Sequence, residues 1–375
     1  MSGERPIVPP IWRGTLYEFD TSRRLADAIQ DHRRGYSYGR YDNPTVVEVE
    51  GEVAELEGAE RGLAFASGMA AISTAVLALL PARGRVVRQR ELYGTTSELF
   101  REYVPRIARE VVEVEASAPD RFEEELRSRG GDLVYLESPV NPTLEIADIA
   151  RIASAARAAG AITLVDNTFA TPLGQQPLAL GADVSLHSAT KFLGGHHDIV
   201  AGALATSEAL GERLWHARRV LGGILSPDDA FLLHRGMRTL RLRFEAQSRS
   251  AAELAARLAA DPRVRRVAYP GLASHPSHAL AAARMKSFGA MLAFELADDR
   301  SAERFLDALR VVRRAASLGG VESLAILPAF TSHAGLPEDE RRRMGITESL
   351  VRMSVGIEPL EALIEDLDRG FRAVS

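Results

Sequence analysis

The sequence predicts an α/β fold, in which helices cover a mostly parallel sheet and a smaller α+β domain follows. Short apolar runs alternate with helix-spaced stretches between about residues 62 and 191, which is typical of parallel strands joined by helical crossovers. With 375 residues, the chain is long enough for one large and one smaller core. Hydrophobic residues make up 46% of the chain and charged residues 26%, as in globular proteins.

The first predicted elements lie at the N-terminal end of the chain. Residues 1–45 are rich in Pro, Gly, Tyr and Arg and show little periodicity, so we expect an extended arm. From Val46, a helix-spaced apolar segment leads to a strand at residues 62–66. A turn at residues 67–69 and a helix over residues 70–80 follow. This strand, turn and helix belong to the predicted large domain.

Further apolar runs predict the rest of the large sheet. They occur at residues 85–89, 133–139, 162–169 and 183–191. A helix-spaced stretch at residues 148–160 separates two of these runs, so the strands on either side of it are expected to be parallel.

The pattern changes after a long helical segment, which we predict over residues 228–260. Runs at residues 264–271 and 291–299 then predict strands, and runs near residues 302–310 and 360–371 predict helices. We therefore expect three segments, which are the arm of residues 1–45, a large domain of residues 46–235 and an α+β domain of residues 236–375.

Composition excludes several classes of function. The net charge is −5 and no basic stripe is present, so nucleic acid is not an expected partner. The longest apolar run, residues 69–80, is too short to cross a bilayer, and no leader peptide is recognised; we expect no membrane partner and a cytoplasmic location. The chain has no cysteine, which excludes disulfides, thiolate metal sites and a cysteine nucleophile. His196 and His197 are adjacent, and we expect no metal site.

Lysine is rare in this chain, and that makes each lysine a candidate. The 46 basic residues include only Lys191 and Lys286. A lysine amine can be tuned to act as a nucleophile or a base, whereas arginine keeps its proton. Lys191 follows an apolar run and precedes a glycine turn; the alternative is a solvated loop lysine. Lys286 lies beside Arg284 in the chain and indicates surface charge.

Polar residues at predicted strand ends are the other candidates, because ligands bind beyond the carboxyl ends of parallel strands. Glu137, Asp166 and Lys191 all occupy such positions. The carboxylate of Asp166 could hold the protonated ring nitrogen of a heteroaromatic cofactor, or it could simply cap a turn. The residues Ser67, Gly68 and Met69 begin a helix, where backbone N–H groups could bind a phosphate; the alternative is an ordinary N-cap serine.

Six motifs together carry a resemblance. They are YGRYDNPT (38–45), SGMAA (67–71), ESPVNP (137–142), LVDNTFATP (164–172), SATKFLGGHHD (188–198) and SLGGVESL (317–324). In this order and spacing, from about Tyr38 to the C-terminus, they resemble the cysteine and methionine metabolism family of pyridoxal-phosphate (PLP) enzymes. That family includes cystathionine gamma-lyase, beta-lyase and gamma-synthase and methionine gamma-lyase. The resemblance implies pyridoxal 5'-phosphate as cofactor and a PLP-dependent transferase-like fold of the aspartate aminotransferase type (fold type I).

The resemblance also implies how the cofactor is bound. Lys191 corresponds to the Schiff-base lysine, Asp166 to the partner of the pyridine nitrogen, and Tyr93 to an aromatic residue that stacks on the ring. The phosphate would be bound by Ser67, by the backbone N–H groups of Gly68 and Met69, and by the hydroxyls of Ser188 and Thr190.

A neighbouring subunit is implied as well. Tyr38 and Arg40 are similar to a Tyr-x-Arg pair that reaches the cofactor phosphate of the adjacent subunit. Arginine suits this role because its planar guanidinium can bind a phosphate through two parallel hydrogen bonds. We therefore expect a homo-oligomer, a homotetramer built as a dimer of dimers, with active sites shared between subunits.

The substrate is expected to be a small amino acid. By resemblance, Arg352 binds its α-carboxylate, with Ser317 and Asn141 nearby; the alternatives are a surface arginine, a helix cap and a turn asparagine. Thr95 stands where methionine gamma-lyases usually have cysteine. Ala316 stands where many cystathionine gamma-lyases have a glutamate that could meet the distal amine, so a smaller and less polar substrate is favoured.

The reaction expected from this resemblance is the cleavage of a carbon–sulfur bond. Lys191 would take the α-proton and Tyr93 would protonate the leaving thiolate. We expect γ-elimination of methionine, homocysteine or a related thioether to α-ketobutyrate, ammonia and a thiol. The alternatives are a cystathionine gamma-lyase or beta-lyase, a cystathionine gamma-synthase-type transferase, and a PLP-binding scaffold without turnover.

Overall fold

The larger of two sheets forms the centre of the fold. The computed structural model describes residues 6–374, and within them seven strands form this sheet in the order β1-β7-β6-β5-β4-β2-β3. The strands are β1 (Arg61–Phe65), β2 (Arg85–Gln89), β3 (Glu110–Val114), β4 (Leu133–Glu137), β5 (Ile162–Asp166), β6 (Val184–His187) and β7 (Gly202–Thr206). Strands β2 to β6 are all parallel to one another, and β7 is antiparallel to both β6 and β1. The predicted α/β class with a mostly parallel sheet is confirmed.

Helices cover both faces of this sheet and extend N-terminal to it. They are α1 (Ser22–Gln30), α2 (Pro44–Glu57), α3 (Gly68–Leu79), α4 (Gly94–Glu98), α5 (Pro119–Arg129), α6 (Ile149–Ala158), α7 (Thr171–Gly174), α8 (Glu208–Leu221) and α9 (Pro227–Met237). Helices α3 and α8 share one apolar core with the sheet, and α5 and α6 share another. The central strands are therefore buried on both faces, as parallel strands require.

Local sequence signals explain where these helices begin. The side chain of Asn43 accepts a hydrogen bond from the N–H of Thr45 at the start of α2, and Pro44 occupies the first helical position. Ser67 caps α3 by accepting the N–H of Ala70 at 3.0 Å. Helix α2 ends at Gly58, whose φ of 65° is the left-handed conformation that glycine adopts at low cost.

The smaller sheet lies in the C-terminal part of the described chain. Five strands of residues 6–374 form it in the order β10-β11-β12-β9-β8. They are β8 (Val264–Ala268), β9 (Met291–Leu296), β10 (Arg313–Arg314), β11 (Leu324–Ile326) and β12 (Leu350–Ser354). The associated helices are α10 (Leu240–Ala259), α11 (His278–Arg284), α12 (Asp299–Ala308), α13 (Glu338–Arg343) and α14 (Leu360–Arg372). This arrangement matches the predicted α+β class.

The prediction of one long helix over residues 228–260 is wrong in one respect. The segment forms two helices, α9 and α10, which are separated by Arg238 and Thr239. The predicted domain boundary at residues 235 and 236 falls inside α9. Leu240 and Phe244 of α10 pack into the core that contains α2, whereas Leu254 and Leu258 pack into the core of the small sheet. The N-terminal half of α10 therefore belongs to the core that contains α2, and its C-terminal half belongs to the core of the small sheet.

The N-terminal segment is not extended throughout, contrary to expectation. Helix α1 forms in it because Thr21 provides an N-cap, accepting the N–H of Arg24 at 3.2 Å. Elsewhere the described part of the segment contains a short 3-10 turn (His32–Arg34), a bridge between Leu16 and Tyr38, and the first residues of α2. The part of the predicted arm at residues 1–5 lies outside the described residues. None of the helices between residues 6 and 374 is long and apolar enough to span a bilayer.

Candidate active site

A cavity of about 690 Å³ opens at the carboxyl ends of the parallel strands. Residues that follow β4, β5 and β6 line it on one side, and residues of the small sheet line it on the other. This is where ligands bind in parallel α/β sheets, and the volume lies in the range of cofactor and substrate sites. We call it the strand-end cavity. It contains most of the residues that the sequence singled out.

Lys191 lies in the strand-end cavity, in the turn that follows the end of β6 at His187. Its Nζ donates a hydrogen bond to Oγ of Ser317 at 3.2 Å. Partial burial lowers the pKa of the Lys191 amine, and the positive charge of Arg352 lowers it further. A larger fraction of the amine is therefore neutral than in water, which is the form that acts as a nucleophile or base.

The turn after Lys191 is fixed by a buried arginine. The guanidinium of Arg243 donates to the carbonyl of Phe192 at 3.0 Å and to that of Gly236 at 2.7 Å. Gly195 has a φ of 74°, and a Cβ there would meet Nη1 of Arg243 at 2.1 Å. Glycine is therefore required at this position, both for its backbone conformation and for space.

Asp166 ends β5 and is 8% exposed. Its Oδ1 accepts hydrogen bonds from the N–H of Thr168 at 3.0 Å and from its hydroxyl at 2.5 Å. Burial raises the pKa of the Asp166 carboxyl, and the two bonds from Thr168 act in the opposite direction. The same hydroxyl accepts the N–H of Ser188 at 2.8 Å, so Thr168 ties β5 to the lysine segment. Sequence reasoning missed Thr168, although the Asp-x-Thr spacing is a turn signal.

The N-terminus of α3 faces the strand-end cavity. Ser67, Gly68 and Met69 all line it, and so does Ser188. A Cβ on Gly68 would lie 2.9 Å from Cβ of Ser188, so only glycine allows this close approach. The first turn of a helix leaves N–H groups without intrahelical partners, and these groups favour an anion.

Thr190 lines the cavity with a different hydrogen-bonding pattern from the one expected. Its hydroxyl donates to the carbonyl of Ala201 at 3.1 Å and accepts the N–H of Ala201 at 2.9 Å. The hydroxyl proton is therefore already used within the protein. A phosphate bound at α3 would find its hydroxyl donors in Ser67 and Ser188 unless Thr190 changed its partner.

Arg352 lies on β12 and is 4% exposed. Its guanidinium donates to Oδ1 of Asn141 and to the carbonyl of Ser317, each at 3.0 Å. Its buried Nε has no partner among the described residues. Burial lowers the pKa of Arg352 to about 10. A buried arginine without a carboxylate partner can bind an anion such as an α-carboxylate.

Glu137 and Tyr93 complete the wall of the strand-end cavity. The Tyr93 side chain is 42% exposed, and its backbone N–H donates to Oε2 of Glu137 at 2.8 Å. Glu137 ends β4, directly opposite Asp166 in the parallel register. Burial raises the pKa of Glu137 to about 8, and the neighbouring charge of Asp166 contributes to the shift.

Two predicted residues lie elsewhere. Neither Tyr38 nor Arg40 lines the cavity of its own chain in the described structure. Arg40 donates to the carbonyl of Arg219 at 2.5 Å, and its guanidinium lies over the rings of Tyr38 at 5.4 Å and Tyr41 at 5.2 Å. A contribution of this pair to a neighbouring subunit stays a prediction.

Other cavity residues bear on specificity. Thr95 and Ala316, the two positions expected to select the substrate, both line the strand-end cavity. So do Glu98, Arg101 and His333, which sequence reasoning did not single out. Burial lowers the pKa of His333 to about 4, with a further contribution from the charge of Arg352, so this ring is neutral near pH 7.

The histidines near Lys191 make contacts within the protein. Nδ1 of His196 lies 2.8 Å from the carbonyl of Gly194, and Nε2 of His187 lies 2.5 Å from a carboxylate oxygen of Glu57. Between residues 6 and 374, no group of three or more histidine, aspartate or glutamate side chains is arranged to hold a metal ion.

The donor set of the strand-end cavity fits PLP. An amine with a lowered pKa, a buried carboxylate and a helix N-terminus face the same space, and they match an aldehyde, a ring nitrogen and a phosphate in turn. Both hydrogen bonds to the Asp166 carboxylate go to Oδ1, so its Oδ2 can accept a hydrogen bond from a ligand. The unpaired Nε of Arg352 can likewise donate to one.

Comparison with known proteins agrees with this chemistry. The family described as "Cys/Met metabolism PLP-dependent enzyme" matches residues 2–372. Cystathionine gamma-lyase of Bacillus subtilis is 43% identical over 341 residues, which are 91% of this chain and 89% of that protein. L-methionine gamma-lyase of Pseudomonas putida is 40% identical over 370 residues, which are 98% of this chain and 93% of that protein.

A solved structure supports the fold as well. Cystathionine gamma synthase from Xanthomonas oryzae pv. oryzae, crystallised in complex with cystathionine, has a TM-score of 0.92 and 37% identity. The similarity covers 98% of this chain and 93% of that chain. The PLP-dependent transferase-like fold is thereby confirmed, and the chain belongs to the Cys/Met metabolism family of PLP-dependent enzymes.

Proposed function

We propose that this protein is a carbon–sulfur lyase that carries out γ-elimination on methionine, homocysteine or a related thioether. The products would be α-ketobutyrate, ammonia and a thiol. The observation that carries the proposal is Ala316, which lines the strand-end cavity directly before the Ser317 that contacts Lys191. An alanine at this position offers no charge to a distal ammonium, which favours an uncharged thioether side chain over one that ends in a second charged group.

Several residues of the strand-end cavity have roles in this proposal. Arg352 would bind the α-carboxylate, held in orientation by Asn141 and by the carbonyl of Ser317. Lys191 would hold the cofactor and then take the proton from Cα, since burial keeps its amine partly neutral. When bound, PLP supplies a ring that absorbs the electron pair left on Cα.

The remaining steps need further proton transfers. Asp166 would keep the ring nitrogen protonated, with Thr168 fixing the carboxylate. For γ-elimination a second proton must leave Cβ, and Lys191, which lines the strand-end cavity, would carry it. The hydroxyl of Tyr93 would protonate the departing thiolate.

A second candidate is a cystathionine lyase. Glu98 and Arg101 both line the strand-end cavity, and their opposite charges could meet the distal ammonium and carboxylate of cystathionine. The B. subtilis relative carries that activity in its name. A cystathionine gamma-synthase-type transferase is a third candidate, and the X. oryzae structure is named for that activity.

We also propose that the site is shared between subunits. Tyr38 and Arg40 do not line the cavity of their own chain, and an arginine in this arm suits the phosphate of a neighbour. The assembly would then be at least a dimer, and the sequence resemblance favours a homotetramer.

Product analysis separates these candidates. The purified protein with PLP should release α-ketobutyrate from methionine or homocysteine and give less from cystathionine. Pyruvate from cystathionine would indicate a beta-lyase, and α-ketobutyrate from cystathionine alone would indicate a cystathionine gamma-lyase. No ketoacid from any of these, with thioether formation from an activated homoserine ester and a thiol, would replace the proposal with a transferase.

A further inference from the structure

We propose that Glu137 is a positioning residue that couples the cofactor side of the strand-end cavity to its substrate side. The inference rests on the proposed function, since it takes Tyr93 as the ring-stacking residue and Arg352 as the carboxylate-binding residue. Glu137 itself need not touch substrate or cofactor. It acts through the backbone of the two segments that carry these contacts.

The geometry is that of one buried carboxylate with two backbone partners. Oε2 of Glu137 accepts the N–H of Tyr93 at 2.8 Å, and Oε1 accepts the N–H of Asn141 at 3.1 Å. The side chain of Asn141 in turn accepts from Arg352 at 3.0 Å. A continuous chain of hydrogen bonds therefore runs from the segment of Tyr93 to the guanidinium of Arg352.

Glu137 is itself held in place. Its backbone N–H donates to Oε1 of Gln89 at 3.2 Å, and Nε2 of Gln89 donates to the carbonyl of Glu91 at 2.6 Å. Glu137 is 5% exposed, and it lies opposite Asp166 in the β4–β5 register. A fixed side chain at this point can transmit a constraint between two loops, whereas a mobile one could not.

The geometry requires a group with two oxygens, each of which has lone pairs that can accept a backbone N–H whether the carboxyl is ionised or protonated. Tyr93 is the N-cap residue of α4, where backbone N–H groups have no partner within the helix. Oε2 of Glu137 accepts the N–H of Tyr93 and so satisfies one of these groups. A glutamine at position 137 has one acceptor and one donor, so one of the two N–H groups would face an amide NH₂. An aspartate keeps both acceptors but is shorter by one methylene and cannot reach both segments.

The rival explanation is that Glu137 only stabilises the fold by satisfying two buried N–H groups. Asp366 provides a matched control for that role. It is fully buried in α14, accepts the N–H groups of Arg310, Val311 and Val312 at 2.9–3.1 Å, and also pairs with the guanidinium of Arg369 at 2.6 Å. It lies outside the strand-end cavity, so Asp366→Asn should affect stability without affecting ligands.

The test measures two affinities in Glu137→Gln and wild type. PLP binding to the apo-protein is followed by visible absorbance. Binding of L-norleucine to the holoenzyme is followed by the change in that absorbance, because norleucine has the shape of methionine but no thioether to eliminate. We expect both dissociation constants to rise by roughly tenfold, since loss of one buried hydrogen bond acts on a shared link.

Two controls make the result decisive. Asp366→Asn should lower the melting temperature and leave both dissociation constants unchanged, and Glu137→Asp should raise both constants even if Glu137→Gln fails to fold. If both Glu137 variants lose stability as Asp366→Asn does but bind PLP and norleucine like wild type, the residue is only structural. If only one of the two constants changes, the proposed coupling is wrong. Neither readout needs turnover, so a protein that releases no ketoacid would refute the lyase proposal and leave this test intact.

Discussion

Replacing Arg352 with lysine should weaken binding of the amino acid substrate far more than it slows turnover. In the structure the guanidinium contacts Asn141 and the carbonyl of Ser317, each at 3.0 Å, and still has Nε without a partner. A lysine ammonium has no planar fork, so it cannot keep these contacts and also bind a carboxylate through two hydrogen bonds. Loss of one charge-assisted hydrogen bond costs about 1.5–3 kcal/mol, which corresponds to roughly 10- to 100-fold in kcat/KM.

The same variant should also make KM depend on pH. Burial lowers the pKa of Arg352 from 12.5 to about 10. The same burial would lower the pKa of a lysine at this position below its ordinary value, so its charge would be lost at a lower pH than that of an exposed lysine. Steady-state kinetics between about pH 7 and pH 9 should therefore show KM rising with pH in the variant, relative to wild type.

A matched control is available in Arg85, which is 1% exposed and pairs with Glu110 and Glu125 away from the cavity. Arg85→Lys should lower the melting temperature without changing KM. If Arg352→Lys keeps the wild-type KM across this pH range, Arg352 does not bind the carboxylate and the orientation proposed for the substrate is wrong.

Three further predictions concern the cofactor, a buried acid and the subunit contact. Asp166→Asn should retain PLP, as seen by absorbance, while turnover falls by roughly 100-fold or more because the ring nitrogen is no longer kept protonated; unchanged turnover would refute this role. The raised pKa of Glu137, about 8 against an ordinary 4.5, means that the folded apo-protein holds a proton that the unfolded chain loses. Its unfolding free energy should therefore fall as pH rises from about 4.5 to 8, by up to about 1.4 kcal/mol per pH unit, and chemical denaturation of Glu137→Gln should show a flatter profile. Arg40→Ala and Lys191→Ala should each be inactive alone, yet refolding them together should restore about a quarter of the sites, since a mixed dimer has one intact site; a mixture that stays inactive would argue against a shared site.

The sequence predicted four of the five parallel strands, β2, β4, β5 and β6, because each contains a short apolar run. It missed β3, whose sequence EVVEV has a glutamate on either side of its paired valines. Strands β4 and β5 end at Glu137 and Asp166, and the parallel register places these two residues side by side. Strand β6 is followed by Lys191, which brings the amine to the same edge. For these three residues, the position at or just beyond a strand end predicted that they line the cavity.

Other features could not be predicted because their signals are weak or distant. Strand β7 has the sequence GALAT, whose small residues lack the β-branched pattern of a strand. Helical periodicity continues through Arg238 and Thr239, so the break between α9 and α10 was missed. His333 reaches the cavity from the C-terminal part of the chain, and only the tertiary fold brings it beside Arg352.

The central claim is that the amine of Lys191 binds PLP, and the scarcity of lysine makes this directly measurable. Reduction of the holoenzyme with borohydride, followed by proteolysis and mass spectrometry, should find the cofactor attached to the peptide that contains Lys191. Lys286 is exposed and hydrogen-bonded to Gln176 at 2.8 Å, so it should remain unlabelled, and Lys286→Arg should give the same result as wild type. Cofactor attached to Lys286, or to no lysine at all, would contradict the account.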